Sequence, residues 1–446
     1  MTKLLFSFLL ALCFYASNGQ DTEKKIETLV SAYANEGKFN GTVLVAHKGK
    51  IVYQKGFGWR RAEEKVPHTE GSIFQIGSIT KQFTSAVIMQ LQQEKKLSVQ
   101  DKLEKYFAGF PNGNKITIEH LLTHTSGLFN YTSDSTLMNR DVTKSYSSAD
   151  MIAIFKSYPP DFEPGSRFSY SNTGYSMLGY IIEKVTGKPY EAVVRQRILQ
   201  PLGMSSSGFD FTHLDHPARS KGYFLLQQSN VVPAPVVDST ISYSAGALYS
   251  TVGDLYKWER AIGTDKILQP ASWKAVFTPY KQTYGYGWSI DTLFGQTYTA
   301  HSGGIHGFAS FLMRFPQEEL AVIIIDNASS ESLSAISRSL AALMLGKPYK
   351  IPEPKKALAA DPAILRQYVG EYELAPGFTI TVTLDGSQLR GQATGQPAFD
   401  LFAEKENLFF LKVVEAKVEF VRDAQGTVTE MILYQNGQQP RGKKIK

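Results

Sequence analysis

A serine and a lysine three residues apart form the first chemically suggestive pair in the sequence. Ser78 and Lys81 lie in the segment FQIGSITKQFT, where Ile79 and Phe83 belong to an apolar repeat at helical spacing. Side chains three residues apart on a helix project from one face, so the hydroxyl and the amine can touch. Serine needs a neighbouring base to act as a nucleophile, and a lysine with a lowered pKa can serve. The pair therefore indicates covalent catalysis by an activated hydroxyl.

A phenol and an amide follow in the segment PGSRFSYSNTGY, where Pro164-Gly165 predicts a turn before an exposed loop. Tyr170 supplies the phenol, and Asn172 supplies both a donor and an acceptor. A phenol near a lysine ammonium loses its proton more easily, so Tyr170 is a candidate general base toward Ser78 and later toward water. Taken alone, the pair is more typical of a core tyrosine beside a loop asparagine.

A third polar segment, His301-Ser302-Gly303-Gly304, falls at the end of a predicted strand. Glycines at such a position let the strand backbone approach a ligand closely. The backbone N–H of Gly304 could then pair with that of Ser78 to hold an oxyanion. The three segments are weak signals singly, and their common occurrence in this order is much more specific.

Together these segments resemble the serine β-lactamase and penicillin-binding-protein superfamily. The likeness is greatest to the branch that includes class C β-lactamases, D-Ala-D-Ala carboxypeptidases, D-aminopeptidases and related esterases. It extends over roughly residues 30–345 and includes the phrases HLLTHTSGL, YSAGALYSTVGDLYKW and HSGGIHGF. The three family motifs fall, in order, on Ser78 and Lys81, on Tyr170 and Asn172, and on His301, Ser302 and Gly303.

The resemblance implies a serine hydrolase that works by two-step acyl transfer. Ser78 would attack a carbonyl while Tyr170 or Lys81 takes its proton, and water would then cleave the acyl-enzyme. The N–H groups of Ser78 and Gly304 would form the oxyanion hole. The implied substrate is an ester, an amide or a D-amino-acid peptide, including one derived from peptidoglycan, and no cofactor is expected. The implied substrate-binding residues are Asn172, His301, Ser302 and Gly303.

One departure from the family pattern affects the expected substrate. His301 stands where β-lactamases and many carboxypeptidases carry a lysine, and histidine is mostly neutral at pH 7. This favours an esterase, amidase or D-aminopeptidase over a β-lactamase or carboxypeptidase. The alternative is a penicillin-binding or pseudo-enzymatic module that acylates without efficient turnover, with its C-terminal domain binding a partner or a wall polymer.

The elements that must position these residues predict an α+β fold. Two β-rich runs, Thr42–His47 and Ile51–Phe57, form a hairpin pattern near the start. Helical patterns dominate residues 99–263, and strand signals return over residues 284–327 before a last helix at 330–345. Strands from both ends and helices from the middle predict one antiparallel sheet flanked by helices, with an α-rich subdomain.

The prolines of KPYKIPEPKK predict a linker over residues 348–361, which separates a first domain at 21–347 from a second at 362–446. The second domain has short strands punctuated by turns, which favours a small all-β barrel or sandwich. The basic residues at its end are expected to form a solvated terminus: Arg441, Lys443, Lys444 and Lys446.

Residues 1–20 have a positive charge, an apolar run and small polar residues, as in a signal peptide. The mature chain is therefore expected in the periplasm or outside the cell, with no membrane span. Cys13, the single cysteine, lies in this leader, which excludes thiol catalysis after processing. The net charge is +6, but the basic residues are scattered apart from the short C-terminal tail, which argues against nucleic-acid binding. The oligomeric state is left open.

Two histidines four positions apart, His120 and His124, have a spacing that a helical zinc site could use. Zinc proteases need a glutamate beside the first histidine, where this chain has Leu121. Structural roles are therefore predicted for both histidines, and no metal site is expected.

Overall fold

The structure is a computed structural model that describes residues 20–446 apart from 228, 229, 329, 354–356, 397, 413, 415 and 436. It confirms the predicted fold class, with a large antiparallel sheet, flanking helices, an α-rich insertion and a C-terminal all-β domain. The predicted leader lies outside the described residues except for Gln20. In the part of the chain that is described, no helix is long and apolar enough to cross a membrane.

The first domain alternates strands and helices along the chain. Its strands are β1 (Gly41–His47), β2 (Lys50–Phe57), β3 (Trp59–Arg61), β4 (Val66–Pro67), β5 (Phe74–Gln75), β6 (Tyr223–Leu226), β7 (Val231–Pro233), β8 (Tyr249–Ser250), β9 (Ser289–Leu293), β10 (Gln296–Ile305), β11 (Phe308–Phe315) and β12 (Leu320–Asp326). Its helices are α1 (20–35), α2 (Thr80–Gln93), α3 (Ile118–Leu122), α4 (Ser135–Arg140), α5 (Ser148–Ser157), α6 (Asn172–Thr186), α7 (Tyr190–Val194), α8 (Ser239–Gly246), α9 (Val252–Ala261), α10 (Pro270–Val276) and α11 (Leu333–Met344).

The main sheet has the strand order β2-β1-β12-β11-β10-β9, with antiparallel neighbours throughout. The apolar run LAVIIID of β12 is buried on both faces, as expected for a central strand covered on both sides. Val322 and Ile324 belong to the apolar layer that includes α1 and α11. Ile323 and Ile325 belong to the larger core beneath α2 and α9. Successive residues thus face opposite layers, and the sheet separates two cores.

The segment YGYGWSI differs from its predicted strand, because only its last two residues enter β9. Tyr286 donates its backbone N–H to the Val276 carbonyl at 3.0 Å instead of joining the sheet. Gly287 has φ +80°, and a Cβ there would lie 2.9 Å from the Lys81 carbonyl oxygen. The close approach to α2 and the left-handed backbone both require glycine, so tertiary packing overrides the local β pattern.

The C-terminal domain is a closed barrel preceded by the short helix α12 (Pro362–Leu365). Its strands are β13 (Gly370–Ala375), β14 (Phe378–Asp385), β15 (Gln388–Ala393), β16 (Phe399–Ala403), β17 (Leu408–Phe410), β18 (Ala416–Arg422), β19 (Val428–Gln435) and β20 (Arg441–Lys444). Tyr368, Tyr372 and Phe420 pack their rings inside it. The interior is therefore filled by aromatic and aliphatic side chains.

The basic tail is a strand and not an irregular terminus, because Arg441–Lys444 forms β20 and pairs with β13 and β19. The side chains of Arg441, Lys443 and Lys446 are exposed, as predicted for a solvated terminus. Gly442 explains part of the difference, since a Cβ there would lie 2.9 Å from the Leu374 side chain. The strand closes the barrel, so its backbone hydrogen bonds come from closure and not from strand propensity.

Candidate active site

Ser78 lies on a 3-10 turn, Gly77–Ile79, and the α-helix α2 starts only at Thr80. Gly77 has φ +52°, and a Cβ there would lie 2.8 Å from the backbone nitrogen of Gly304. The Thr80 hydroxyl donates to the Gly77 carbonyl at 2.7 Å and stabilises the turn. The nucleophile candidate therefore sits on a turn whose shape depends on glycine and on contact with a distant strand.

Lys81 is fully buried at the centre of the site. Its Nζ lies 2.9 Å from the Ser78 Oγ, 2.8 Å from the Asn172 Oδ1 and 2.7 Å from the Ala245 carbonyl oxygen. Burial lowers the pKa of Lys81 well below its ordinary value, which shifts the balance toward the neutral amine. A neutral amine can donate its two N–H groups to Asn172 and Ala245, which only accept. In that neutral form the lone pair faces the Ser78 hydroxyl, whereas an ammonium would donate to the Ser78 Oγ.

The Ala245 carbonyl is available because α8 ends beside α2. Tyr243 breaks this helix with φ 36° and ψ −135°, a backbone conformation that residues other than glycine rarely adopt. The backbone carbonyls of Ser244 and Ala245 then accept hydrogen bonds from side chains of α2. The Thr84 hydroxyl donates to the Ser244 carbonyl at 2.7 Å, and the Lys81 Nζ donates to the Ala245 carbonyl. Carbonyls at a helix end lack partners within the helix, and side chains of α2 satisfy them here.

Asn172 is the first residue of α6, and its amide is held in one orientation. The Nδ2 group donates to the Asn130 Oδ1 at 3.3 Å and to the Thr132 Oγ1 at 3.1 Å. The Asn172 backbone N–H also donates to the Asn130 Oδ1, at 2.9 Å. These bonds turn the Asn172 Oδ1 toward Lys81. Sequence reasoning did not identify Asn130 and Thr132, since nothing in their local pattern signals contact with α6.

Tyr170 lies beside the other two candidates, with the Lys81 Nζ 4.9 Å from the centre of its ring. Its hydroxyl hydrogen-bonds to Ser78. Burial raises the pKa of Tyr170, and the hydrogen bond to Ser78 opposes this only in part. The phenol therefore keeps its proton near neutral pH, which is opposite to the direction expected from a lysine ammonium nearby.

The buried ring of His124 packs under Tyr170, with 4.1 Å between the ring centres. Its Nδ1 accepts the backbone N–H of Ser171 at 3.2 Å. His120 instead closes a capping box with Thr117 at the start of α3. Throughout the described residues, no group of three His, Cys, Asp or Glu side chains could hold a metal ion.

His301 is buried, and both of its ring nitrogens have protein partners. Its Nε2 lies 2.8 Å from the Tyr284 hydroxyl, and its Nδ1 lies 2.6 Å from the Ser302 carbonyl oxygen. A neutral ring fits both contacts, with Nδ1–H donating to the carbonyl and Nε2 accepting from the phenol. Burial lowers the pKa of His301 to about 4. The ring is therefore neutral at pH 7.

Strand β10, which carries His301, passes close to Ser78 in the segment that follows its pairing with β9. Pairing between β9 and β10 stops at Ala300, so residues 301–305 are unpaired on that side. A Cβ at Gly303 would lie 2.0 Å from the Ile76 carbonyl oxygen, which shows how tightly the strand lies against the serine turn. The structure thus brings the Gly304 backbone beside Ser78, while the His301 side chain points into a buried aromatic cluster with Tyr284.

A cleft of about 420 Å³ opens above Ser78, Asn172 and Gly304. Among the described residues, no Lys, Arg, Asp or Glu lines it. His306 stands in the cleft wall with its ring centre 5.3 Å from that of the exposed Phe224. The apolar lining comprises Tyr131, Met138, Phe224, Val237, Ile241, Ala245, Ile305, Phe308 and Ala309.

Comparison with known families places this fold and site in a known class. The Beta-lactamase family matches residues 26–343, and the chain belongs to that family, which confirms the resemblance found in the motifs. A second family, described as a domain of unknown function (DUF3471), matches residues 354–444.

Particular proteins resemble the chain over most of its length. Penicillin-binding protein 4* of Bacillus subtilis (strain 168) is 30% identical over 458 residues, which cover 96% of this chain and 100% of that protein. The octameric penicillin-binding protein homologue from Pyrococcus abyssi has a TM-score of 0.65 and 28% identity, covering 94% of this chain and 99% of that one. A D-stereospecific amidohydrolase from Streptomyces sp. has a TM-score of 0.61 and 26% identity, covering 73% and 98%.

Proposed function

We propose that the protein is a serine acyl-hydrolase that forms an acyl-enzyme on Ser78. The observation that carries the proposal is the contact between the Ser78 Oγ and the buried amine of Lys81. As Oγ attacks the substrate carbonyl carbon, Lys81 takes the hydroxyl proton and becomes an ammonium. The backbone N–H groups of Ser78 and Gly304 stabilise the oxyanion that forms.

Tyr170 then completes the proton transfer. Its protonated phenol donates to the leaving oxygen or nitrogen as the bond to the acyl carbon breaks, and the Lys81 ammonium returns a proton to the phenolate. In the second step water attacks the acyl carbon and gives its proton to the same pair of groups, and Ser78 leaves as a hydroxyl. Asn172 holds Lys81 in place, and no cofactor is needed.

We further propose that the preferred substrates are amides or esters whose acyl group is apolar and carries no carboxylate. The cleft walls are mainly apolar, and His301 is neutral at pH 7 with both nitrogens engaged. A substrate carboxylate would therefore lose its hydration without gaining a cation. Similarity to a D-stereospecific amidohydrolase supports including amides of D-amino acids among the substrates tested.

The proposal is tested by labelling and turnover on the full chain. A fluorophosphonate probe should modify Ser78, as located by peptide mass spectrometry, and the Ser78→Ala variant should not be labelled. The unmodified protein should hydrolyse p-nitrophenyl butyrate or D-phenylalanine p-nitroanilide over many turnovers. Absence of both labelling and turnover in folded protein would contradict the proposal.

A second candidate is a penicillin-binding protein that acylates without efficient turnover. Similarity to Penicillin-binding protein 4* across nearly the whole chain favours it. A fluorescent penicillin separates the two candidates, because slow loss of label with no catalytic hydrolysis of esters or amides identifies the binding module. Rapid release, or sustained turnover of any acyl substrate, identifies the hydrolase.

The assignments of export and domain boundaries remain our proposals. Residues 1–20 are proposed as a signal peptide, and residues 348–361 as a linker between domains at 21–347 and 362–446. Amino-terminal sequencing of the protein recovered from a secreting host should begin near Asp21. An intact Met1 in the exported fraction would contradict the first assignment.

A further inference from the structure

A second cleft lies between the first domain and the barrel. Its volume is about 430 Å³, close to that of the catalytic cleft. Asn230, which follows β6, donates its side-chain Nδ2 to the Ala398 carbonyl of the barrel at 2.9 Å and joins the two domains there. The residues of this interdomain cleft used below are Glu36, Leu226, Gln227, Arg390, Phe402 and Lys412.

Gln227 brings an unused amide to this cleft. Its Nε2 and Oε1 are both buried, and neither has a hydrogen-bond partner among the described residues. Leaving a buried donor or acceptor unpaired is unfavourable, so folded proteins usually satisfy such groups. An amide with both atoms unpaired beside a cleft therefore indicates a ligand that offers one acceptor and one donor.

Glu36 adds a carboxylate that lacks a counter-ion. The residue is only 6% exposed, and no hydrogen bond or ion pair reaches its side chain from the described part of the chain. The neighbouring charges are engaged, because Arg390 pairs with Asp385 and Asp400 at 3.2 Å each. The Lys412 Nζ lies 4.5 Å from the centre of the Phe402 ring. Glu36 is thus the group that a cationic ligand would satisfy.

We propose that the interdomain cleft binds a ligand with an ammonium next to an amide, as in the amino-terminal end of a short peptide or an amino acid amide. The ammonium pairs with Glu36. The ligand amide N–H donates to the Gln227 Oε1, and its carbonyl accepts from the Gln227 Nε2. The ligand side chain packs against Leu226 and Phe402. The cleft volume falls within the range of about 300–1,000 Å³ found for small-molecule sites.

The test is isothermal titration calorimetry of the full chain carrying Ser78→Ala, so that catalysis does not consume the probe. L-phenylalanine amide should bind at one site per chain. N-acetyl-phenylalanine amide lacks the cation and phenethylamine lacks the amide, so each should bind about tenfold more weakly or worse. Phenylalanyl-dialanine separates the two ligand sources, because tighter binding than that of the amide identifies the peptide end, and equal binding identifies the amide.

Two variants locate the binding. Gln227→Leu and Glu36→Gln should each weaken binding of phenylalanine amide by about tenfold or more. Gln425→Leu on an exposed barrel turn and Glu23→Gln on α1 are the matched controls and should change nothing. Since each test variant removes an unsatisfied group, its melting temperature should not fall. If Gln227→Leu does unfold, the binding measured with Glu36→Gln and with N-acetyl-phenylalanine amide still tests the proposal. No binding, or binding that Gln227→Leu and Glu36→Gln leave unchanged, overturns the proposal.

Discussion

The Lys81 Nζ and the Ser78 Oγ lie 2.9 Å apart, and the lysine is completely buried. Its other hydrogen-bond partners are two oxygens that only accept hydrogen bonds, those of Asn172 and Ala245. Neither neighbour carries a negative charge that would stabilise an ammonium. This arrangement supports the proposed mechanism, in which the lysine is the base and Tyr170 is the proton donor.

Removing the amine should abolish the chemistry with little effect on folding. Lys81→Met should lower kcat/KM for p-nitrophenyl butyrate by about a thousandfold or more, since Ser78 loses its base. Lys81→Arg should be equally inactive, because a guanidinium stays protonated. Steady-state hydrolysis and fluorophosphonate labelling measure the activity of both variants. Lys24→Met on the exposed face of α1 is the control, and near-parental activity of Lys81→Arg would contradict the assigned role.

The pH dependence of kcat/KM should reflect the deprotonation of Lys81. Burial lowers the pKa of this amine from its usual 10.5, and only the neutral form can accept the serine proton. Activity should therefore rise with pH to a plateau, with a midpoint well below 10.5. A stable neutral substrate, followed over the pH range in which the protein stays folded, gives the profile. A limb that is still rising at the ordinary lysine pKa would contradict the prediction.

Asn130 should matter for catalysis although it touches neither Ser78 nor Lys81. Asn130→Ala removes the acceptor that orients Asn172, so kcat should fall by about tenfold while KM changes little. Asn130→Asp keeps the acceptor and should recover part of kcat. Its added carboxylate should also move the pH limb upward, because it stabilises the Lys81 ammonium. A purely structural role for Asn130 would give no such shift.

Gly77 should be required for the geometry of the serine turn as well as for stability. Gly77→Ala imposes a left-handed backbone, which costs about 1–2 kcal/mol, and brings a Cβ to 2.8 Å from the Gly304 nitrogen. Gly187→Ala has a similar backbone, φ +67°, with nothing within 4 Å of the new Cβ. Both variants should lose stability in denaturant unfolding, and only Gly77→Ala should lose acylation. Equal activities would contradict a role for the Gly77–Gly304 contact.

Substrate charge should discriminate strongly. The p-nitrophenyl ester of butyrate should be hydrolysed with a kcat/KM at least about tenfold above that of the p-nitrophenyl monoester of glutarate, whose free carboxylate must enter the apolar cleft. Both esters have the same leaving group, so the ratio of their kcat/KM values reports the effect of the acyl group alone. A preference for the glutarate ester would show that a cation reaches the cleft.

The sequence by itself determined the local features of this protein. The three-residue spacing of Ser78 and Lys81, the first hairpin and the strands flanked by glycine turns all depend on neighbours in the chain, so pattern and propensity suffice. The order of the motifs is sufficient to indicate the family, and the distribution of β and α signals along the chain predicts the α+β arrangement.

Only the tertiary structure decided how the site is charged and held. Lys81 meets Asn172 across 91 positions and Ala245 across 164, and no local pattern reports such contacts. The pKa directions of Lys81 and Tyr170 follow from burial, which depends on how α2, α6 and α8 pack. Strand β20 likewise forms because the barrel closes around it. Spacing along the chain therefore indicates the candidate reacting groups, and long-range packing shifts their pKa values.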